Sequence, residues 1–362
     1  MKKIFIVTVV IVIAIIVGIF LINIYEADTE VTKEITQVGV ILNGSIDDGS
    51  WSQSHYESLE KTAADLNLAM NYRENVTTDE CEALIREFAD MGCKVIVANS
   101  FEFGEYMNTA AKMYPEIYFL HATGVGADKN LSTYFGRIYQ IRYLSGIVAG
   151  LQTQTNEIGY VAAFPISEVN RGINAFTLGV RHVKADAKVY VTWSNSWNDD
   201  AMTAEATEKL LAAHEIDVIA MHTDSLQVLE IAEERGVMSI GYNLDNREHY
   251  PNTYLTAAVW NWEAFYQPVF LKCLQGKFAG QHYWEGLNSG MVSLAPLSDK
   301  VKPGVEEVVL KEQEKINSGT FDVFYGPIYD NDGILRVLEG ECLTDNTMLN
   351  NFDWYVEGVV LE

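Results

Sequence analysis

No stretch of this chain repeats another, no segment is of low complexity, and no cluster of Lys and Arg forms a basic patch. The 25 Lys and Arg are outnumbered by 50 Asp and Glu, for a formal net charge of −25. Such an acidic surface argues against nucleic-acid backbones and anionic membrane surfaces as electrostatic partners. The four cysteines, Cys81, Cys93, Cys273 and Cys342, form no CxxC pair and no Cys/His cluster, so neither a metal site nor a cofactor is expected. Cys81 and Cys93 flank an expected helix, and roughly a dozen helical residues hold them about 18 Å apart, beyond the reach of a disulfide. Buried free thiols are the reading for all four. Catalytic motifs are missing too: there is no G-x-S-x-G elbow, no P-loop and no G-x-G-x-x-G, and no enzyme is expected.

The chain does have length and apolar content. Its 362 residues, 48% hydrophobic and 21% charged, suffice for one large domain or two ordinary ones. Ile4 to Ile24 is one apolar run without a charge, long enough as a helix to span about 30 Å of hydrocarbon. Lys2 and Lys3 precede it and Glu26, Asp28 and Glu30 follow, so the positive-inside bias puts the bulk of the chain outside the cytoplasm. A cleaved signal peptide is the competing reading. Its apolar region would be shorter, about 7–15 residues, and would end in an A-x-A-like site; none is evident, and no Cys follows for lipid attachment. The expectation is an anchor over 1–25, a polar linker over 26–36, and a protein on the extracytoplasmic face of the cell membrane, or secreted were the segment cleaved.

Beyond the linker, short apolar runs alternate with amphipathic helical stretches. "QVGVIL" (37–42), "MNYREN" (70–75), "KVIVAN" (94–99), "IYFL" (117–120) and "LSTYF" (131–135) read as strands of a first series. "IGYVAA" (158–163), "KVYVTW" (188–193), "DVIAM" (217–221) and "MSIGY" (238–242) read as a second. Continuous apolar strands between helices indicate parallel sheets covered on both faces. The fold class is therefore α/β, with two doubly wound parallel-sheet lobes joined by a hinge. Lobe 1 is expected over 37–155 and lobe 2 over 156–253. "YLTAAV" (254–259), the following helix and the tail to 362 are expected to return to lobe 1 and extend it.

Ligands of open α/β sheets bind beyond the carboxyl ends of strands, and the residues there are unusual. Asp47, Asp48, Trp51 and Ser52 follow the first strand; Asn99, Ser100 and Phe101 follow the strand at 94–99. In the second series come Trp197, Asn198, Asp199 and Asp200, then His222 and Asp224, then Asn243 and Asp245, then Trp260 and Trp262. Flat aromatic plates beside carboxylates and amides suit a flat heterocycle, stacked on its faces and read at its edge; a sugar is the other common ligand of such a cleft. Each residue also has a plainer reading. Ser45, Asp47 or Ser50 could cap the helix that starts near Trp51, and Asp48 could do so with less ease. Asn198 or Asp199 suits an N-cap better than a ligand contact. Trp193 reads as core, Trp262 as packing on a helix, and His222 equally as a satisfied buried histidine. Asp47 and Asp48 could hold a cation as in nucleoside hydrolases, but no longer Asp run accompanies them.

From about Gln37 onward the chain resembles the basic membrane protein family of ABC-transporter solute-binding proteins, the family of the purine nucleoside receptor lipoproteins. "DDGSWSQSHYESL" resembles its D-x-S-[FW]-N-x stretch, "YLSGIVAG" its Y-L-x-G-x-x-A helix, "SNSWNDD" its G-S-[FW]-x-D loop and "IGYNLDN" its I-G-x-D-x-D-Q strand end. The C-terminal "NFDWYVEGV" resembles a branch described as binding purine bases. The resemblance implies a type I periplasmic binding protein fold, a purine ligand, and permease and ATPase subunits as partners of a monomeric binding protein. Where nucleoside-binding members carry Asp, Lys and the motif Asn, this chain has Asn243, Trp260 and Ser52. A bulky indole in place of a charged pair implies a free purine base, adenine for example. On this reading Trp51 and Trp197 stack on the base with Phe101, and Asp48, Asp224 and Asn243 read its edge. Trp260 closes the sugar side, and Ser52, Asn99 and Asp245 complete the set. The rival is the same fold reporting ligand occupancy to a signalling partner; a nucleosidase is the enzymatic alternative.

Overall fold

Each apolar run pairs with another of its kind, because a strand buried on both faces satisfies its backbone only through neighbouring strands. A computed structural model describes residues 36–362; the expected anchor and the linker up to residue 35 lie outside the described residues. The chain enters through β1 (Gln37–Ile41), α1 (Trp51–Leu66), β2 (Ala69–Arg73), α2 (Cys81–Asp90), β3 (Val95–Ala98), α3 (Gly104–Met113), β4 (Tyr118–Ala122) and β5 (Leu131–Gly136). It then crosses to a second body: α4 (Tyr139–Gln152), β6 (Glu157–Ala162), α5 (Ser167–Val183), β7 (Lys188–Trp193), α6 (Asp200–Ala213), β8 (Val218–His222), α7 (Gln227–Arg235), β9 (Met238–Asn243) and β10 (Tyr254–Trp260). It crosses back for α8 (Glu263–Leu274) and β11 (His282–Glu285), and crosses a third time into β12 (Val292–Leu294) and α9 (Val305–Asn317). A small hairpin of β13 (Ile328–Tyr329) and β14 (Leu335–Val337), then α10 (Asp345–Asn350) and β15 (Val359–Leu361), end the chain.

The first sheet has the order β11-β5-β4-β3-β1-β2 and is parallel throughout. The second has the order β12-β10-β9-β8-β6-β7-β15, parallel except for β12 at its edge. The doubly wound reading therefore holds, with three crossings, but the lobe boundaries move. Lobe 1 gives way at Arg137 rather than at 155, because α4 lies against α5 and the second sheet. Tyr254–Trp260 does not return to lobe 1. It pairs in parallel with β9, whose free edge a buried apolar strand must cover. Only α8 and β11 go back. The tail expected to extend lobe 1 instead covers both edges of the second sheet, through β12 on β10 and β15 on β7. Cys81, Cys93 and Cys273 are buried free thiols as expected, whereas Cys342 is exposed.

The "YLSGIVAG" helix has a packing reason for its small residues. A Cβ on Gly146 would lie 2.1 Å from the Phe176 carbonyl oxygen, and one on Gly179 would lie 2.0 Å from that of Tyr143. The backbones of α4 and α5 thus touch, and the contact fixes α5, whose first turn faces the cleft. Gly→Ala inside an ordinary helix stabilises by about 0.5–1 kcal/mol. Gly146→Ala should do the opposite and lower the denaturant midpoint by an amount equivalent to about 1–3 kcal/mol. A midpoint that rises would show that the helices do not meet there.

Candidate functional site

Both sheets share one winding, in which the chain leaves a central strand first to one side and then to the other. The switch points are β1/β3 in lobe 1 and β6/β8 in lobe 2, and a crevice opens beyond the carboxyl ends of such strand pairs. The loops after these four strands face one another across the interlobe cleft, and they meet. Gly49, at φ +65°, sits so close to Leu226 that a Cβ there would lie 2.7 Å from its Cδ1. The Gly49 carbonyl accepts a hydrogen bond from Asn246 Nδ2 at 3.0 Å.

The Asn243 amide is the hub of the cleft. It is fully buried, at the end of β9, with φ +69°. Its Nδ2 donates to Ser50 Oγ of lobe 1 and to Asp224 Oδ1 of lobe 2, both at 2.8 Å. Its Oδ1 accepts from the Trp260 indole at 2.9 Å. One side chain thus ties the two lobes and the hinge strand together.

Behind this hub lies an aromatic stack. Trp260 stacks on Trp262 at 4.4 Å, and Trp262 stacks on His55 at 4.2 Å. Trp51 stands edge-on to both indoles, 5.9 and 5.4 Å away. It is 8% exposed, and its indole N–H donates to the Asn99 carbonyl. Trp51 is therefore part of the hinge-side wall. The half-buried aromatics of the cleft are Trp197 and, edge-on to it at 5.9 Å, Phe164.

Three acidic groups meet in the cleft. Asp48 accepts from the backbone N–H groups of Ser50, Ser52 and Gln53, so it caps α1, the role given more readily to Asp47. Burial still raises its carboxyl above the ordinary range. Asp224 goes well above that range through burial first and the facing Asp48 second. Glu168, in the first turn of α5, behaves differently. Burial pushes it up, but His222, Arg171 and Arg142 outweigh burial and hold it below the usual value. His222 itself is fully buried and lowered to about 4 by burial and then by Arg142. Its Nδ1 lies 2.9 Å from the Tyr160 hydroxyl and its Nε2 3.3 Å from Glu168, which assigns the proton to Nε2. His222 is buried, with Nδ1 partnered by Tyr160 and Nε2 facing Glu168 without a hydrogen-bonded partner.

Among the described residues no His/Cys/Asp/Glu cluster could hold a metal. A polar cavity of about 450 Å³ opens on the hinge side between Arg137, Gln140, Asp322 and Asp345. The Arg137 guanidinium there is already paired with both Asp345 oxygens.

Residues 35–324 match the family described as ABC transporter substrate-binding protein, PnrA-like. A purine-binding protein of Brucella abortus is 33% identical over 90% of this chain and 93% of its own. The chain belongs to the Bmp family of ABC transporter substrate-binding proteins. A Haloferax volcanii protein whose name assigns it glucose binding in an ABC transporter is also 33% identical, over 87% of this chain and 78% of its own. In fold, a transcriptional activator of the comK gene from Bacillus halodurans matches at TM-score 0.70 and 23% identity, over 79% of this chain and 99% of that one. A solute-binding protein from Conexibacter woesei matches at 0.68 and 20%, over 79% and 98%. As a family member the chain is extracytoplasmic, serves a permease and ATPase, and binds its solute without chemistry on it.

Of the predicted site residues, Asp48, Asp224, Asn243, Trp197 and Trp260 converge on the cleft. Ser52 and Asn99 form a buried brace beneath it, with Asn99 Nδ2 donating to Ser52 Oγ at 3.2 Å. Phe101 stands 67% exposed on a short helical turn after β3. Asp245 turns outward to pair with Arg247. Asp199 is the N-cap of α6, accepting from Met202 N at 2.9 Å, as expected. Ser50, read only as a helix cap, bonds Asn243 instead, and residues not anticipated are Phe164, Glu168, Arg142 and Arg171. A lone Arg in the apolar "YQIRYLSGIVAG" and the i,i+3 pair in "EVNR" were their signals.

Asp224 sets a pH dependence. Its folded carboxyl holds a proton more tightly than the unfolded one. It therefore removes stability as pH rises from the ordinary carboxylate range, about 3.9, through its raised value. Asp224→Asn keeps the oxygen that accepts from Asn243 and abolishes that loss. The ligand-free variant should melt higher than wild type at pH 7, with the difference closing below about pH 4. A lower melting temperature at pH 7 would contradict this electrostatic assignment.

Proposed function

We propose that the chain binds a free purine base in the interlobe cleft and delivers it to an ABC importer, with residues 1–25 as its membrane anchor. The observation that carries this reading is the Asn243–Trp260 pair. The indole N–H is spent on the Asn243 oxygen, and the ring is stacked on Trp262 with 6% of its surface exposed. By resemblance, nucleoside-binding members use an Asp and a Lys at these two places for the sugar. A neutral amide already bonded three ways and a packed indole leave no charged pair for ribose hydroxyls. A nucleoside would displace the indole and leave hydroxyls poorly paired, each at about 1–3 kcal/mol. Trp197, Phe164 and the carboxyl of Asp224 suit the faces and N–H edge of a flat heterocycle. The Brucella relative, named as purine-binding, agrees with this ligand class.

Titration calorimetry of the full-length chain against adenine, hypoxanthine, guanine, xanthine, adenosine and glucose tests it. The expected result is binding of a free base at least about 100-fold tighter than its nucleoside, equivalent to about 2.7 kcal/mol, with no glucose binding. Equal affinity for adenine and adenosine, or tight binding of glucose alone, would defeat the reading.

A further inference from the structure

Glu168 is the acid of the cleft that no motif marked. It lies in the first turn of α5, just beyond the β6 end of the lobe 2 switch point, with its side chain 23% exposed. Phe164 and Trp197 stand on the same side of the cleft, and Trp197 lies 6.4 Å from His222. The Glu168 charge is felt by both Asp224 and Tyr242. From behind, the buried His222 reaches it at 3.3 Å. Two buried arginines add their charge. Arg142 lies 3.9 Å over the Tyr242 ring with Nη1 on the Met221 carbonyl; Arg171 lies over Trp284 with Nη1 on the Met348 carbonyl. Nε and Nη2 of Arg142 and Nε of Arg171 have no hydrogen-bond partner.

Two fully buried cations exceed what packing requires, since burying a charge is costly unless something repays it. Glu168 is the carboxylate they act on, and no hydrogen bond or ion pair between it and either arginine is found among the described residues. Its carboxylate thus faces the His222 ring and two nearby charges, and among the described residues no donor is bonded to the face away from His222. Asp48, by contrast, has its oxygens committed to three backbone N–H groups of α1.

Resting on the purine reading above, we propose that Glu168, rather than Asp48, is the ligand-contacting and specificity-determining carboxylate that accepts an N–H of the bound base. His222 orients it, and Arg142 and Arg171 back it. Asp224, across from Asp48 and held by Asn243, contacts a second edge position. The ligand is then a heterocycle whose rim offers N–H groups to two separate carboxyls, which a purine base with a free ring N–H does.

Calorimetry of wild type, Glu168→Gln and Glu168→Asp with the base that wild type binds most tightly tests the proposal, together with ligand-free melting of all three. Glu168→Gln should weaken binding at least about 10-fold, the range for a hydrogen bond to a charged group, with a far-UV spectrum near wild type and a lower ligand-free melting temperature, because the charge facing Arg142 and Arg171 is lost. Glu168→Asp keeps the charge beside His222 and the arginines but draws the carboxylate back by one methylene. It should melt like wild type and still lose affinity several-fold, so it carries the test if the Gln variant melts early. Wild-type affinity in Glu168→Asp together with wild-type affinity or failed folding in Glu168→Gln would overturn the proposal and leave the purine reading standing. A wild-type protein that binds no purine base overturns both.

Discussion

The cleft is organised by one amide. Only Asn or Gln offers both donors and an acceptor on a single neutral head, and Asn243 uses all of them: two hydrogen bonds out, to Ser50 and Asp224, and one in, from Trp260. Its left-handed backbone, which Asn tolerates better than most residues, turns the chain out of β9 so that the head reaches lobe 1. If the amide lost its donors, Ser50 would lose its link to lobe 2. Asp224 would face the Asp48 charge without its nearest partner, and Trp260 alone would still be held.

The remaining architecture keeps this centre in place while leaving the lobes able to part. Three chain crossings join them, and the aromatic stack of Trp260, Trp262 and His55 makes the hinge side a packed wall. The second sheet has both edges covered by the tail, and α5 is held by backbone contact with α4. Rigid strands and a rigid helix thus carry the loops that bind. Asp48 and Asp224 are a stability liability in the empty protein, a usual feature of sites built to take a ligand. Closure around a ligand that satisfies those acids would shift the population toward the joined state.

The fold was legible because its strands are short continuous apolar runs, and such runs have few alternatives to a parallel sheet covered by helices. The lobe boundary was less so. Tyr254–Trp260 follows a long loop with no helix, and nothing local says which sheet edge it joins. At the site, strand ends pointed to the loops that meet across the cleft, since a switch point follows from strand order. What a loop residue touches does not. Asp48 and Asp47 are adjacent, and only the loop's path decides that Asp48 takes the helix N–H groups while Asp47 faces solvent. Trp51 lies in the expected place with its ring turned into the wall. Glu168 and Arg171 went unmarked because a helix face shows its direction only once the helix is docked. Arg142, the one charge inside an apolar helix, was the clearest unused sign.

Isothermal titration of Asn243→Asp with the base that wild type prefers shows whether the Asn243 amide joins the lobes. The substitution preserves size and the oxygen that receives the Trp260 indole, but replaces the donor to Ser50 and Asp224 with a second carboxylate oxygen. Base affinity at neutral pH should fall at least about 10-fold. Affinity equal to or tighter than wild type would contradict it, because the Asn243 amide could not then be what joins the lobes over the ligand.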